Sequence, residues 1–210
     1  MLSGEVRIRF SKTGKVKYIS HLDLCRTFRT AFVRAGIPIW YSQGFNPHPK
    51  MVFATTVAVG HESFCELLDI KITSPMDEEE LRDRLDKQLT KDISIIKVYE
   101  PHREFAELKY VGYEMTLESE VDADKLSGLL GGPLPVEKKT KSGNKIVDVS
   151  GKIKEVKAEG NRLTCVLAAA QSDTLGPDVF LRAIAPALPD ALPVSVVRTN
   201  LYDEQGNEFE

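Results

Sequence analysis

The order of strand and helix patterns along the chain constrains the fold more than any single residue does. Residues Glu5–Phe10 alternate polar and apolar side chains, which is typical of a half-buried strand. Ser20 and Asp23 then form a helix-start signature, and Gly36 and Pro38 end the helix that follows. The predicted apolar stripe of this helix consists of Leu22, Cys25, Phe28, Phe32 and Ala35.

Further patterns complete a strand–helix–strand–strand–helix–strand order within the first hundred residues. A second helix begins in the acidic run at Asp77, where acids suit the helix dipole. This order is typical of a ferredoxin-like module. The remaining strands are predicted at residues 39–41, 51–57, 66–72 and 93–98.

The same order recurs less clearly after a polar connector at residues 101–107, with an extra basic hairpin near residues 138–145. The chain is therefore predicted to be an α+β protein of two tandem ferredoxin-like (βαββαβ) modules, at residues 1–100 and 108–202. Residues 203–210 form a polar tail that we expect to be frayed. Helices are predicted at residues 123–130 and 177–187, and strands at 110–117, 134–137, 145–149, 153–156, 162–169 and 194–201.

Charge is distributed unevenly along the chain. Residues 1–60 contain nine Lys or Arg side chains and two acids, a net charge of +7, so the remaining residues carry −10 of the overall −3. A basic region of this kind predicts an anionic partner for the first module. The alternative is an ordinary solvated charged face.

The composition also argues against several classes of protein. No run of about eighteen apolar residues or secretory leader is present, so a cytoplasmic protein without membrane contact is expected. Cys25, Cys65 and Cys165 are far apart, which favours buried reduced thiols. No Cys-x-x-Cys or Cys-x-x-x-Cys-x-x-Cys spacing exists, so neither a metal nor another cofactor is expected.

The segment Tyr41–Lys50 has the densest functional chemistry. Pro47 and Pro49 hold the backbone extended around His48, which predicts that the imidazole is presented to solvent. The aromatic rings of this segment can stack on bases, and its amides can read base edges. The alternative is a rigid turn whose Phe45 packs into the core. The predicted contact residues of the segment are Tyr41, Gln43, Phe45, Asn46, His48 and Lys50.

A second candidate segment surrounds Gly14, just before the first helix. Lysines around a glycine turn next to a helix start can hold a phosphate through charge and backbone amides. The segment lacks the spacing of a nucleotide-binding P-loop, and a solvated lysine loop is the alternative. The cations predicted to meet an anion outside Tyr41–Lys50 are Lys12, Lys15, Lys17, Arg26 and Arg29.

Three of the four histidines, His21, His48 and His61, fall within or next to this basic region. Their spacing fits no helical metal-ligand pair, so no metal site is predicted. His21 and His48 remain weak catalytic candidates, because two imidazoles can serve as general acid and base in RNA cleavage. The alternative roles are a helix-start hydrogen bond for His21 and a turn position for His61.

Several segments resemble the radical SAM-linked protein family, a bacterial domain of unknown function. The resemblance is dense through residue 70, and it departs at residues 147–151, where the family pattern continues with Arg-Pro. It implies a partner, since such domains occur fused to, or encoded beside, cobalamin-type radical SAM enzymes. The matching residues are Phe10–Lys12, Lys17–Asp23, Ala35–Pro38, Tyr41–Lys50, Gly60–Ser63, Glu66, Asp69 and Arg198–Thr199.

Three functions are compatible with these observations. The first is an RNA-binding accessory module that works with a separate radical SAM enzyme, without a DNA partner. The second is a metal-independent endoribonuclease, suggested by analogy with CRISPR RNA-processing enzymes of tandem ferredoxin-like architecture. The third is a protein-interaction adaptor whose basic face meets an acidic protein rather than RNA.

Overall fold

The computed structural model describes residues 1–140, 143–170, 173–186, 188 and 192–210. These residues divide into two compact units, Met1–Phe105 with Glu210, and Ala106–Phe209. Within the described residues, antiparallel strands and four α-helices make up a mixed α+β fold, and the predicted α+β class is confirmed at that level.

The first unit contains a four-stranded antiparallel sheet. Its strands lie in the order β2-β3-β1-β4, so the first strand of the chain is central and the second is at an edge. Both helices follow the predicted order along the chain. The elements are β1 (Leu2–Lys12), α1 (His21–Ala35), β2 (Met51–Phe53), β3 (Glu62–Met76), α2 (Glu78–Asp86) and β4 (Ile93–Tyr99).

Helix α1 begins and ends at the predicted residues. The Ser20 hydroxyl accepts a hydrogen bond from the Asp23 amide, and Gly36 adopts the left-handed conformation with φ +65°. The predicted stripe was partly wrong, because Leu22 is exposed and Leu24 is buried instead. Residues two positions apart on an α-helix are separated by about 200° around its axis, so Leu22 and Leu24 lie on opposite sides of α1. The buried residues of α1 are Leu24, Phe28, Ala31 and Phe32.

The core of the first unit lies between this sheet and its helices. Alternate β1 residues point into it, and the Phe10 ring meets the Phe28 ring edge-on with centroids 4.7 Å apart. Helix α2 contributes Leu81 and Leu85, and its N-terminal amides at Glu79 and Glu80 are capped by the Asp77 carboxylate.

The second unit repeats the strand order of the first. Its main sheet runs β8-β9-β5-β11, again antiparallel, and the short β10 pairs with the end of β9. The hairpin β6–β7, which follows α3 and precedes β8 along the chain, forms a separate two-stranded sheet. The elements are β5 (Tyr110–Leu117), α3 (Ala123–Leu130), β6 (Pro135–Thr140), β7 (Gly143–Asp148), β8 (Ile153–Glu159), β9 (Arg162–Ala170), β10 (Asp173–Thr174), α4 (Pro177–Ile184) and β11 (Pro193–Tyr202).

Three predicted elements differ in the structure. Residues 39–41 form only isolated bridges, at Ile39 and Tyr41, and the strand predicted over 51–57 is limited to β2. The tail is not frayed, because Phe209 is buried and its amide donates to the Leu201 carbonyl oxygen. Parts of two predictions, residues 141–142 of the basic hairpin and Ala187 at the end of the last helix, lie outside the described residues.

Candidate functional site

The Tyr41–Lys50 loop is a hairpin held by its own backbone. At its base the Lys50 amide donates to the Trp40 carbonyl oxygen at 3.0 Å. Further out, the Ser42 amide donates to the His48 carbonyl oxygen at 2.8 Å, and the His48 amide donates to the Ser42 hydroxyl at 3.0 Å. These bonds fix the stem, so the side chains beyond Ser42 project from a defined position.

The tip of this loop presents an aromatic ring to solvent. Phe45 is fully exposed, which excludes the alternative that it packs into the core. Gln43, Asn46 and His48 are exposed beside it in the sequence. Tyr41 is half-buried and packs against the core of the first unit, so Phe45 rather than Tyr41 presents its ring to solvent. We call Gln43–His48 the loop tip.

Lys50 is partly neutralised by an acid on β1. Its ammonium group forms an exposed ion pair with the Glu5 carboxylate, and the hydrogen bond from Lys50 lowers the pKa of Glu5 below its ordinary value. Glu5 lies opposite Lys71 in the β1–β3 register. The base of the loop is therefore attached at the Glu5 end of the sheet.

The lysine turn around Gly14 does not offer open amides to a phosphate. The Gly14 amide donates to the Glu62 carboxylate at 3.1 Å, and the Lys15 amide donates to the Asp92 carboxylate at 2.9 Å. Lys17 pairs with the same Glu62 carboxylate at 3.4 Å. Internal carboxylates thus occupy the positions that the phosphate hypothesis gave to a ligand.

Lys12 is buried rather than presented on the surface. Only 2% of it is exposed, and its ammonium group donates to the Lys17 carbonyl oxygen at 3.3 Å. Ser63 lies opposite Lys12 in the β1–β3 register, and His61, Ser63 and Glu66 are also buried. The sequence contained the signal for this, because Lys12 continues the alternating buried positions of Ile8 and Phe10.

The six cations predicted to meet an anion do not all lie together in the first unit. Lys50 is attached near Glu5, whereas the lysine turn follows Lys12, seven residues further along β1 and roughly 20 Å away. The base of the loop and the lysine turn therefore lie at different ends of this strand.

Helix α1 carries the remaining predicted residues on its exposed side. Arg26 pairs with Asp23 one turn earlier, and Arg29 is exposed without an ion pair among the described residues. The His21 ring contacts the Phe53 ring edge-on at 4.9 Å, and its Nε2 lies 3.5 Å from the Cys25 sulfur. Among the described residues, no contact joins His21 to His48.

Sequence reasoning missed a buried ion pair on the other side of the same sheet. Arg7 is 1% exposed and binds Asp69 through two hydrogen bonds, of 2.7 and 2.8 Å. It also donates to the Arg103 carbonyl oxygen, and its guanidinium lies 4.2 Å from the centre of the Phe105 ring. Burial raises the pKa of the nearby Tyr99 phenol to about 12. These contacts indicate a structural role.

Among the described residues of the second unit, Arg198 is the buried cation. It donates to the Tyr113 hydroxyl at 3.4 Å and lies over the same ring. Cys165 is buried on β9, opposite Tyr113, and burial raises the pKa of its thiol well above the ordinary range. Arg198 was named in the sequence only through a family resemblance, because an arginine in an apolar strand has no diagnostic spacing.

Among the described residues, no group of three or more His, Cys, Asp or Glu side chains converges in a way that could hold a metal ion. In the same part of the chain, no helix is both long and apolar enough to cross a membrane. Cys65 and Cys165 are buried free thiols as predicted, whereas Cys25 is partly exposed.

Comparison with known proteins gives the family. The profile of an uncharacterised family of proteins conserved in bacteria (DUF2344) matches residues 5–177. The chain therefore belongs to this bacterial family. A comparison with curated proteins found no match. The expected membership of a bacterial family of unknown function is confirmed, and the link to radical SAM enzymes remains a prediction.

Proposed function

We propose that this protein is a cytoplasmic RNA-binding accessory module that works with a separate radical SAM enzyme. In this proposal the chain consists of two tandem ferredoxin-like modules. The strand orders β2-β3-β1-β4 and β8-β9-β5-β11 support it, because a central first strand and an edge second strand are the arrangement that this element order produces.

The observation that carries the proposal is the loop tip. The hydration of a large apolar ring that is fully exposed on a hydrogen-bonded hairpin is unfavourable, and a partner that covers the ring would remove this cost. Sequence-specific RNA recognition places unstacked bases on aromatic rings and reads their edges with polar side chains. Phe45 supplies the ring, and Gln43 and Asn46 supply amides that can donate and accept.

The radical SAM partner rests on the resemblance of the first seventy residues. This chain has three scattered cysteines and no Cys-x-x-x-Cys-x-x-Cys motif, so a radical SAM step would take place on the partner. The role of the chain would be to bind the RNA on which that partner acts.

The first test is binding of a pool of short single-stranded RNAs, measured by fluorescence anisotropy at several salt concentrations. Phe45→Ala should weaken binding by about 1–3 kcal/mol, roughly five- to 150-fold, because a stacked base loses its platform. Phe64→Ala is the matched control, since Phe64 is a second exposed phenylalanine of the first unit and lies on β3, outside the loop. It should leave the affinity unchanged.

Each alternative function predicts a different result. An adaptor would ignore RNA, so absent or salt-independent binding by the wild-type chain would remove the RNA proposal. An endoribonuclease would cut the probe, and a cleavage product that disappears in His48→Ala would favour that enzyme. Equal affinity of Phe45→Ala and the wild type would show that RNA binds elsewhere.

A further inference from the structure

Strand β8 forms an edge of the sheet in the second unit. Among the described residues it pairs only with β9, with a register shift after Ile153 and a regular register from Glu155 to Glu159. Alternate residues of an edge strand direct their N–H and C=O groups away from the sheet, where another strand can pair with them. The equivalent edge strand of the first unit, β2, has only three residues.

An apolar groove runs along β8 on the side facing α3. Val156 and Ala158 lie opposite the buried Cys165 and Leu163 in the β8–β9 register, yet both are only partly buried. The groove has a volume of about 470 Å³ and continues into a second cleft of about 190 Å³. The two clefts share Leu130 and Val156 in their linings.

The opposite side of β8 carries alternating charges. Glu155 and Lys157 lie opposite Val166 and Thr164, on the other face of the sheet, and they pair with each other. Antiparallel pairing of two copies of β8 about Val156 would place each Glu155 directly opposite Lys157 of the second copy. Lysines usually protect an edge strand by repulsion, but this alternation makes the edge complementary to itself.

We propose that β8 is a dimerisation edge that takes β8 of a second copy of this chain. The two strands pair antiparallel about a two-fold axis, which extends the sheet across both copies. On the α3 side, Val156 of each copy meets its counterpart and covers the open groove. On the other side, two Glu155–Lys157 pairs fix the register. This inference does not depend on RNA binding.

The test is a set of charge reversals followed by sedimentation or light scattering across a concentration series. Lys157→Glu alone places two acids opposite each other, and Glu155→Lys alone places two lysines opposite each other. Each single variant should weaken the dimer by roughly ten-fold or more. The double variant Glu155→Lys/Lys157→Glu restores both pairs and should dimerise like the wild type. An equimolar mixture of the two single variants should form a heterodimer.

A matched control separates this effect from a change in net charge. Lys91→Glu alters the charge by the same amount on an exposed residue of the first unit, and it should leave the dimer unchanged. A wild-type chain that stays monomeric up to its solubility limit would overturn the proposal and leave the groove to a strand of another protein. A dimer that persists in both single variants would overturn it as well, because another surface would then form the contact.

Discussion

The two units share a strand order and differ in what they bury. The first unit buries the charged side chains of Arg7, Lys12 and Glu66, whereas the second buries those of Arg198 and Asp203 among the described residues. A buried charge carries a desolvation cost unless it is paired and hydrogen-bonded. Apolar residues can replace such groups without loss of stability, so stability alone does not require them. The buried polar and charged side chains are therefore concentrated in the first unit.

The units also differ at one equivalent position, between the first helix and the edge strand. In the first unit this connection is the Tyr41–Lys50 loop with its exposed tip, and in the second it is the β6–β7 hairpin. Connections tolerate insertion and carry function, while the scaffold positions them. Recognition by the loop tip and self-association by β8 would therefore divide between the two units.

The largest effect that tests this comparison is the loss of the Arg7 pair. Asp69→Asn leaves the buried guanidinium without its anion and should lower the free energy of unfolding by about 3 kcal/mol. Tyr113→Phe removes the hydrogen bond from Arg198 in the second unit and should cost about 1 kcal/mol. Urea denaturation of the whole chain, monitored by circular dichroism, measures the free energy of unfolding of both variants.

Asp83→Asn is the control for the first variant, because Asp83 pairs with Arg82 on the exposed side of α2. It should change the free energy of unfolding by less than about 0.5 kcal/mol. Equal losses for Asp69→Asn and Tyr113→Phe would break the comparison, since the buried polar groups of the two units would then be equally important.

A smaller effect concerns the lysine turn. Gly14 has φ +54°, and an added Cβ would lie 2.7 Å from the Asp92 carboxyl carbon that caps this turn. Gly14→Ala should therefore cost about 2 kcal/mol, from backbone strain and from displacement of Asp92. Gly36→Ala meets the same kind of strain, with φ +65° and open space around it, and should cost about 1 kcal/mol.

The difference between these two variants isolates the contact with Asp92. Thermal unfolding of Gly14→Ala and Gly36→Ala under identical conditions measures it. If both lose the same stability, the carboxylate does not hold the turn, and the Gly14 and Lys15 amides would be open to an external anion after all.

Local patterns predicted the elements well because each carries its own signal. The Ser20 cap begins α1 and Gly36 ends it, and the alternation from Glu5 to Phe10 lies within β1. The predicted strand at residues 39–41 failed for a tertiary reason. Trp40 donates its amide to the Lys71 carbonyl oxygen, but the Ile39 amide donates to Ile37 and Tyr41 bridges to Pro49 in the loop stem. Only isolated bridges therefore form.

The candidate site was predicted less well, because residues close in the sequence were assumed to be close in space. Lys12 and Lys50 both belong to the basic region, yet β1 separates the positions at which they are attached. The acids that occupy the Gly14 turn, Glu62 and Asp92, come from distant parts of the chain. No spacing rule contains such contacts, since the sheet register alone creates them.

The smallest predicted effect concerns the Glu5–Lys50 pair at the base of the loop. Because Lys50 lowers the folded-state pKa of Glu5 below 4.5, the pair contributes stability above that pH, and the contribution is lost as pH falls through the lowered pKa. Lys50→Ala should raise the pKa of Glu5 toward its ordinary value, as seen by NMR titration of the carboxyl carbon. At pH 7 it should cost no more than about 0.5 kcal/mol of stability.

Below the pKa of Glu5, Lys50→Ala and the wild type should have the same stability, because a protonated carboxyl no longer forms the ion pair. Lys91→Ala is the control, as Lys91 is exposed and forms no described ion pair. If the Glu5 titration does not move in Lys50→Ala, the pair is absent in solution. Lys50 would then be available to an anionic ligand next to the loop tip. In that case Lys50→Ala should weaken RNA binding more than Lys17→Ala does, because Lys17 is paired with Glu62.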